Sequence, residues 1–124
     1  MVLDASAVLA VYFDEAGAEQ VTPVLLGSLL SSVNYTEVIG KCLDRGETRD
    51  AVLRKLAAMG FAVVAHDIDL ARRAGELLPL TKQFGLSLAD RACLALAERE
   101  RSPAMTADRS WKSLPLGVEI HLIR

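Results

Sequence analysis

Apolar residues along this chain alternate between short unbroken runs and longer stretches with helical spacing. Met1–Leu3 is a short apolar start. Ala5, Val8, Leu9 and Tyr12 then recur at i, i+3, i+4 and i+7, the spacing of one helix face. A second helix is expected over Glu15–Leu26, with Pro23 an awkward residue inside it. Ser28–Val33 reads as a strand. Tyr35, Val38, Ile39 and Cys42 restore the helical spacing, and Gly46 supplies a C-terminal stop.

Thr48 through Met59 is another amphipathic stretch, closed by Gly60. Phe61–Ala65, dense in valine, suits a strand buried on both faces. Asp67–Leu78 is helical again, with Pro79 placed to end or kink it. Ser87–Arg101 is apolar on nearly every side until Glu98, Arg99, Glu100 and Arg101 mark a solvated end. Pro103–Ala107 and Val118–Ile123 are the last two strand candidates, with Trp111 between them. Strands alternating with helices at this spacing imply βαβ crossovers and a mainly parallel sheet covered on both faces. Ligands of such sheets bind beyond the carboxyl ends of the strands, where strand order reverses.

The 124 residues are enough for one domain over 1–124, with a radius of gyration of roughly 14 Å. Hydrophobic residues at 52% and charged residues at 24% exclude a disordered tail. The longest apolar runs, Ala7–Phe13 and Ala92–Ala97, fall far short of the ~18–20 residues that span a bilayer. No basic stretch precedes the first apolar run and Asp4 interrupts it, which argues against a secretory signal. The chain reads as a cytoplasmic protein with no membrane partner. Cys42 and Cys93 sit in apolar helical patterns outside any CxxC or Cys/His cluster, so they read as small buried residues, not zinc ligands or a disulfide.

Four acids fall at the expected rim. Asp4 follows the first strand, Asp108 follows the fourth, Glu37 lies one helical turn past the second, and Asp90 lies in the first turn of the most apolar helix. Each has a local explanation. Asn34-x-x-Glu37 and Ser87-x-x-Asp90 have the form of capping boxes, and Asp4 and Asp108 are each placed to N-cap the segment on their C-terminal side. Taken together the local explanations weaken. Two carboxylates ~4 Å apart repel by roughly 4 kcal/mol at an effective dielectric of 20. Gathered acids therefore call for a cation or for protonation. Oxygen-only ligands suit Mg²⁺ or Mn²⁺, which favour metal-assisted hydrolysis of a phosphodiester.

Val2-Leu3-Asp4-Ala5-Ser6-Ala7, Ser32-Val33-Asn34-Tyr35-Thr36-Glu37-Val38, Leu86-Ser87-Leu88-Ala89-Asp90-Arg91 and Thr106-Ala107-Asp108-Arg109 resemble, in order, the motif series of PIN-domain ribonucleases. Closest are the VapC-like toxins of toxin–antitoxin pairs. The resemblance implies an α/β, PIN-like three-layer fold: a mainly parallel five-stranded sheet with helices on both faces. It also implies an Mg²⁺- or Mn²⁺-dependent endoribonuclease, a homodimer and a cognate antitoxin protein. On this resemblance Asp4 and Asp90 are the main metal ligands, Glu37 binds through water or orients the attacking water, and Asp108 completes the quartet. Ser6 and Thr106 match hydroxyl positions that support the carboxylates. The Leu77–Phe84 connection around Pro79 is less typical of the family.

Overall charge neither demands nor forbids RNA. Fourteen basic and 16 acidic residues give −2, and setting the four acids aside leaves 14 basic residues against 12 acidic ones. Lys41, Arg45, Arg91, Arg109 and Lys112 neighbour the site segments and are candidates for phosphate contacts, with a solvated helix face as the alternative. No basic patch interleaved with aromatic residues is visible. His66 and His121 lie outside the acidic constellation, and Trp111, Phe61, Phe84 and Tyr12 read as packing or dimer-contact residues. Two other classes compete. A receiver-like domain needs an acidic pair after the first strand and a late lysine, and a haloacid-dehalogenase-like phosphatase needs Asp-x-Asp where this chain has Asp4-Ala5-Ser6. A non-catalytic interaction module would use all four acids as caps.

Overall fold

The computed structural model describes residues 1–124. Five parallel strands form one sheet: β1 (Val2–Leu3), β2 (Leu29–Ser31), β3 (Ala62–Val64), β4 (Ala104–Thr106) and β5 (Ile120–Leu122), in the order β3-β2-β1-β4-β5. The helices are α1 (Ala5–Tyr12), α2 (Ala18–Val21), α3 (Ser32–Asp44), α4 (Arg49–Ala58), α5 (Ile68–Glu76), α6 (Leu78–Thr81) and α7 (Leu88–Glu100). Val2 lies beside Leu29 and Ala104, and Leu3 beside Leu30 and Met105. Successive strand residues face opposite sides of a sheet, so this register divides the core. Leu3, Leu30 and Met105 pack with Val8, Val38 and Leu56 of α1, α3 and α4. Val2 and Ala104 pack with Leu70 and Leu94 of α5 and α7, and with Trp111. The expected three-layer architecture is the one the chain adopts. No helix is long and apolar enough to cross a membrane.

Several elements differ from the periodicity. The expected Glu15–Leu26 helix is broken at Gly17, which adopts φ +97° and sits where a Cβ would lie 2.6 Å from the Ile123 carbonyl oxygen. Only α2 and a 3-10 turn over Thr22–Val24 remain of it. The demand comes from Ile123, just past β5, and local spacing cannot register it. Phe61–Ala65 does contain a strand, but not one buried on both faces. β3 is the sheet edge, and Ala62 and Val63 are exposed. β2 stops at Ser31 because the Ser31 hydroxyl accepts from Val33 N and starts α3. Pro79 falls in the first turn of α6, after α5 has ended at Glu76. Cys42 and Cys93 are both buried free thiols.

Candidate active site

Strand order reverses between β1 and β4, and Asp4 leaves β1 at that point. It occupies the N-cap position of α1, yet its side chain caps nothing. Instead Asp4 Oδ2 accepts from Ser6 Oγ at 2.6 Å and from Thr106 Oγ1 at 2.9 Å. Each hydroxyl is held in turn by a main-chain amide: Ala107 N donates to Ser6 Oγ at 2.9 Å, and Asp108 N donates to Thr106 Oγ1 at 3.1 Å. A hydroxyl has one proton to give. With its lone pair engaged by an amide, each directs that proton at the carboxylate. Asp4 is thus gripped on one oxygen, and no protein donor reaches Oδ1.

Burial is the main reason that the Asp4 pKa rises to about 6. The Ser6 and Thr106 hydroxyls oppose that rise, and the charges of Asp90 and Glu37 add to it. The same three acids act on Cys93, one turn after Asp90, whose thiol is pushed well up by burial first and by Asp4, Asp90 and Glu37 after it. The charges of Glu37 and Asp90 thus reach both of these buried groups. Asp90 does form the expected capping box: Ser87 N donates to its Oδ2 at 2.9 Å, and Asp90 N donates to Ser87 Oγ at 3.1 Å. Its Oδ1 stays without a protein partner. Glu37 is different. Because Ser31 caps α3, Glu37 lies in the second turn and not at the third residue of a capping box, and it pairs with Lys41 at 3.5 Å.

Asp108 stands at the same rim but is exposed, and its Oδ1 accepts from Ser110 N at 2.9 Å and from Ser110 Oγ at 2.7 Å. It caps the 3-10 turn Arg109–Ser113, on which Arg109 and Lys112 are exposed. Arg91 points elsewhere, donating to the Ala74 carbonyl at 2.9 Å and so tying α7 to α5. His121 pairs with Glu119 at 2.6 Å. Asn34 is fully buried, and its Nδ2 donates to the Ala89 carbonyl at 3.1 Å, fastening α3 to the first turn of α7 beside Asp90. Sequence spacing presents Asn34 only as a cap. The signal that could reveal its role is its place at the head of the buried stripe Asn34, Val38 and Cys42.

A sequence profile of the PIN domain matches residues 1–115. The chain belongs to the PIN-domain family. No curated protein sequence matches it, whereas solved structures do. A toxin–antitoxin complex from Klebsiella pneumoniae superposes with a TM-score of 0.76 at 17% identity, over 99% of this chain and 97% of that one. DNA-bound VapBC from Salmonella typhimurium gives 0.75 at 15%, covering 99% and 97%. The Mycobacterium tuberculosis toxin VapC20, which cleaves the sarcin–ricin loop, gives 0.74 at 18%, covering 95% and 98%. These likenesses establish that this PIN domain has the VapC fold.

The donor set of the PIN-domain rim fits a hard divalent cation. All its side-chain donors are oxygens, and Asp4 Oδ1 and Asp90 Oδ1 are unclaimed by the protein. The acids do not form a closed cage of three or more ligands. Mg²⁺ needs none, since it usually keeps several waters and takes one or two carboxylates plus substrate phosphate. Asp4 and Asp90 are the residues that could hold such an ion.

Proposed function

We propose that this PIN domain is a metal-dependent endoribonuclease, the toxin of a toxin–antitoxin pair, working in the cytoplasm as a homodimer restrained by a cognate antitoxin protein. The observation that carries this reading is the buried Asp4 carboxylate, which feels the charges of Asp90 and Glu37 and caps no helix. Capping accounts for Asp108 and for one oxygen of Asp90. It does not account for Asp4, whose ionisation in a buried site is costly unless a ligand there rewards it.

Bound at this rim, Mg²⁺ or Mn²⁺ would polarise the phosphate and make water a better nucleophile at neutral pH. Asp4 and Asp90 would hold the ion. Ser6 and Thr106 fix the Asp4 carboxylate through Oδ2 and leave Oδ1 uncommitted, which lowers the reorganisation needed when substrate arrives. Glu37, half-exposed in the second turn of α3, would orient the attacking water. Asp108 would border the cluster with the oxygen its cap leaves free. Lys41, Arg45, Arg109 and Lys112 would contact the RNA, and the carbonyl bond of Arg91 leaves it a smaller share.

The test is cleavage of RNA by the purified protein. Cleavage is expected with Mg²⁺ or Mn²⁺, lost with chelator and restored by adding metal back. Expression alone should arrest growth, and co-expression of the antitoxin should relieve it. An absence of cleavage at any metal concentration would end the nuclease reading.

A further inference from the structure

A cavity of about 370 Å³ opens beside the acidic rim, between α1 and the C-terminal half of α3. Ser6, whose hydroxyl grips Asp4, is one of its lining residues, so the cavity adjoins the Asp4 carboxylate. Lys41 bridges the two, lining the cavity while pairing with Glu37 at 3.5 Å. Arg45 Cζ, also in the lining, sits 3.8 Å from the centre of the Phe13 ring, and Arg45 Nη2 is 3.8 Å from Glu15 Oε2. The ring and the acid hold the guanidinium, yet 56% of the Arg45 side chain remains open to solvent. Arg124 lines the cavity too and spends one donor on the Ala16 carbonyl at 2.8 Å, leaving other donors of its fork free. Two carboxylates, Glu15 and Asp44, and the Leu9 side chain are the other lining groups, and Asp44 has no ion-pair partner.

We propose that this cavity receives the unpaired nucleotide adjoining the scissile phosphate and favours a base that carries an exocyclic amino group. The proposal rests on the ribonuclease reading and adds a base preference to it. Single-stranded bases stack on arginine planes as well as on aromatic rings, and the open face of Arg45, backed by Phe13, is such a plane. Lys41 and Arg124 supply the phosphate contacts on either side. A pocket for phosphate alone would not keep two acids in its wall. Carboxylates accept hydrogen bonds from base amino groups, as they do from cytosine N4, whereas uracil would turn a carbonyl oxygen toward them. The volume falls within the range of small-ligand sites, roughly 300–1,000 Å³.

Short single-stranded oligoribonucleotides that differ only at the nucleotides flanking the cleaved bond provide the test. Cleavage is measured with the parent protein, and binding by fluorescence anisotropy with the Asp4→Asn variant. The parent is expected to favour an amino-bearing base over uracil by about tenfold in kcat/KM. Arg45→Ala should raise KM by about tenfold, and Arg45→Lys, which keeps the charge but not the plane, should fail to restore it. Asp44→Asn should bring the base preference toward one. An unchanged KM in Arg45→Ala, full rescue by Arg45→Lys, or an unchanged preference in Asp44→Asn overturns the cavity assignment and leaves the nuclease reading standing. Preferential binding without any cleavage by the parent supports the cavity and ends the nuclease reading, and neither binding nor cleavage ends both.

Discussion

Thr106 gives its hydroxyl proton to Asp4 Oδ2 at 2.9 Å, joining two residues 102 positions apart in the chain. The bond follows from strand register. Leu3 lies beside Met105 in the β1–β4 pair, so the next residue of each strand emerges at the same edge. The Asp108 amide, donating to Thr106 Oγ1 at 3.1 Å, decides which way the hydroxyl points.

Thr106→Val removes that donor and leaves the Asp108 amide without its acceptor. RNA cleavage is expected to fall roughly ten- to hundredfold, in line with the ~1.5–3 kcal/mol of a hydrogen bond to a charged group. Thr106→Ser should recover most of it. Single-turnover cleavage rates check this, and parent-like activity in the valine variant would contradict it.

The buried Asp4 carboxyl should also leave a mark on stability. Its pKa is about 6 in the folded protein against 3.8 when unperturbed, so the folded state binds the proton more tightly. Above pH 6 the group is ionised in both states and burial opposes folding by about 3 kcal/mol, while below pH 3.8 the penalty is gone. Asp4→Asn removes the charge. Without divalent ions, its stability relative to the parent should rise by about 2 kcal/mol between pH 4.5 and pH 7.5 in denaturant unfolding. A difference that does not change with pH would show that Asp4 is not held as described.

Asp108 should behave unlike Asp4. Asn is as good an N-cap as Asp, so Asp108→Asn keeps the bond to Ser110 and removes only the charge. Its cleavage rate is expected to stay within about tenfold of the parent, while Asp108→Ala should in addition lose about 1 kcal/mol of stability with the cap. A loss in Asp108→Asn as deep as in Asp4→Asn would place Asp108 inside the cluster.

Much of this arrangement is legible in the sequence, because its signals are local. Asp4 directly after an apolar run, Ser87-Leu88-Ala89-Asp90 before an apolar helix, and Thr106 beside Asp108 identify strand ends and helix starts without reference to the rest of the chain. What stays hidden depends on distant partners. Gly17 breaks a helix because Ile123 passes over it. Phe13 and Arg45 meet only when α1 and α3 pack together, so no interleaving of basic and aromatic residues announces them. Arg91 is next to Asp90 in sequence but projects toward Ala74, since neighbours on a helix face different directions. Exposure of β3 is likewise invisible, because apolar content does not reveal which strand ends a sheet.

Cleavage of single-stranded RNA by Asp4→Asn in Mn²⁺, with the melting temperature taken on the same sample, would judge the proposal that Asp4, Glu37 and Asp90 act together on a phosphodiester. The expected result is a loss of about a thousandfold or more in rate by a protein that melts no lower than the parent. Undiminished cleavage by the folded variant would contradict it.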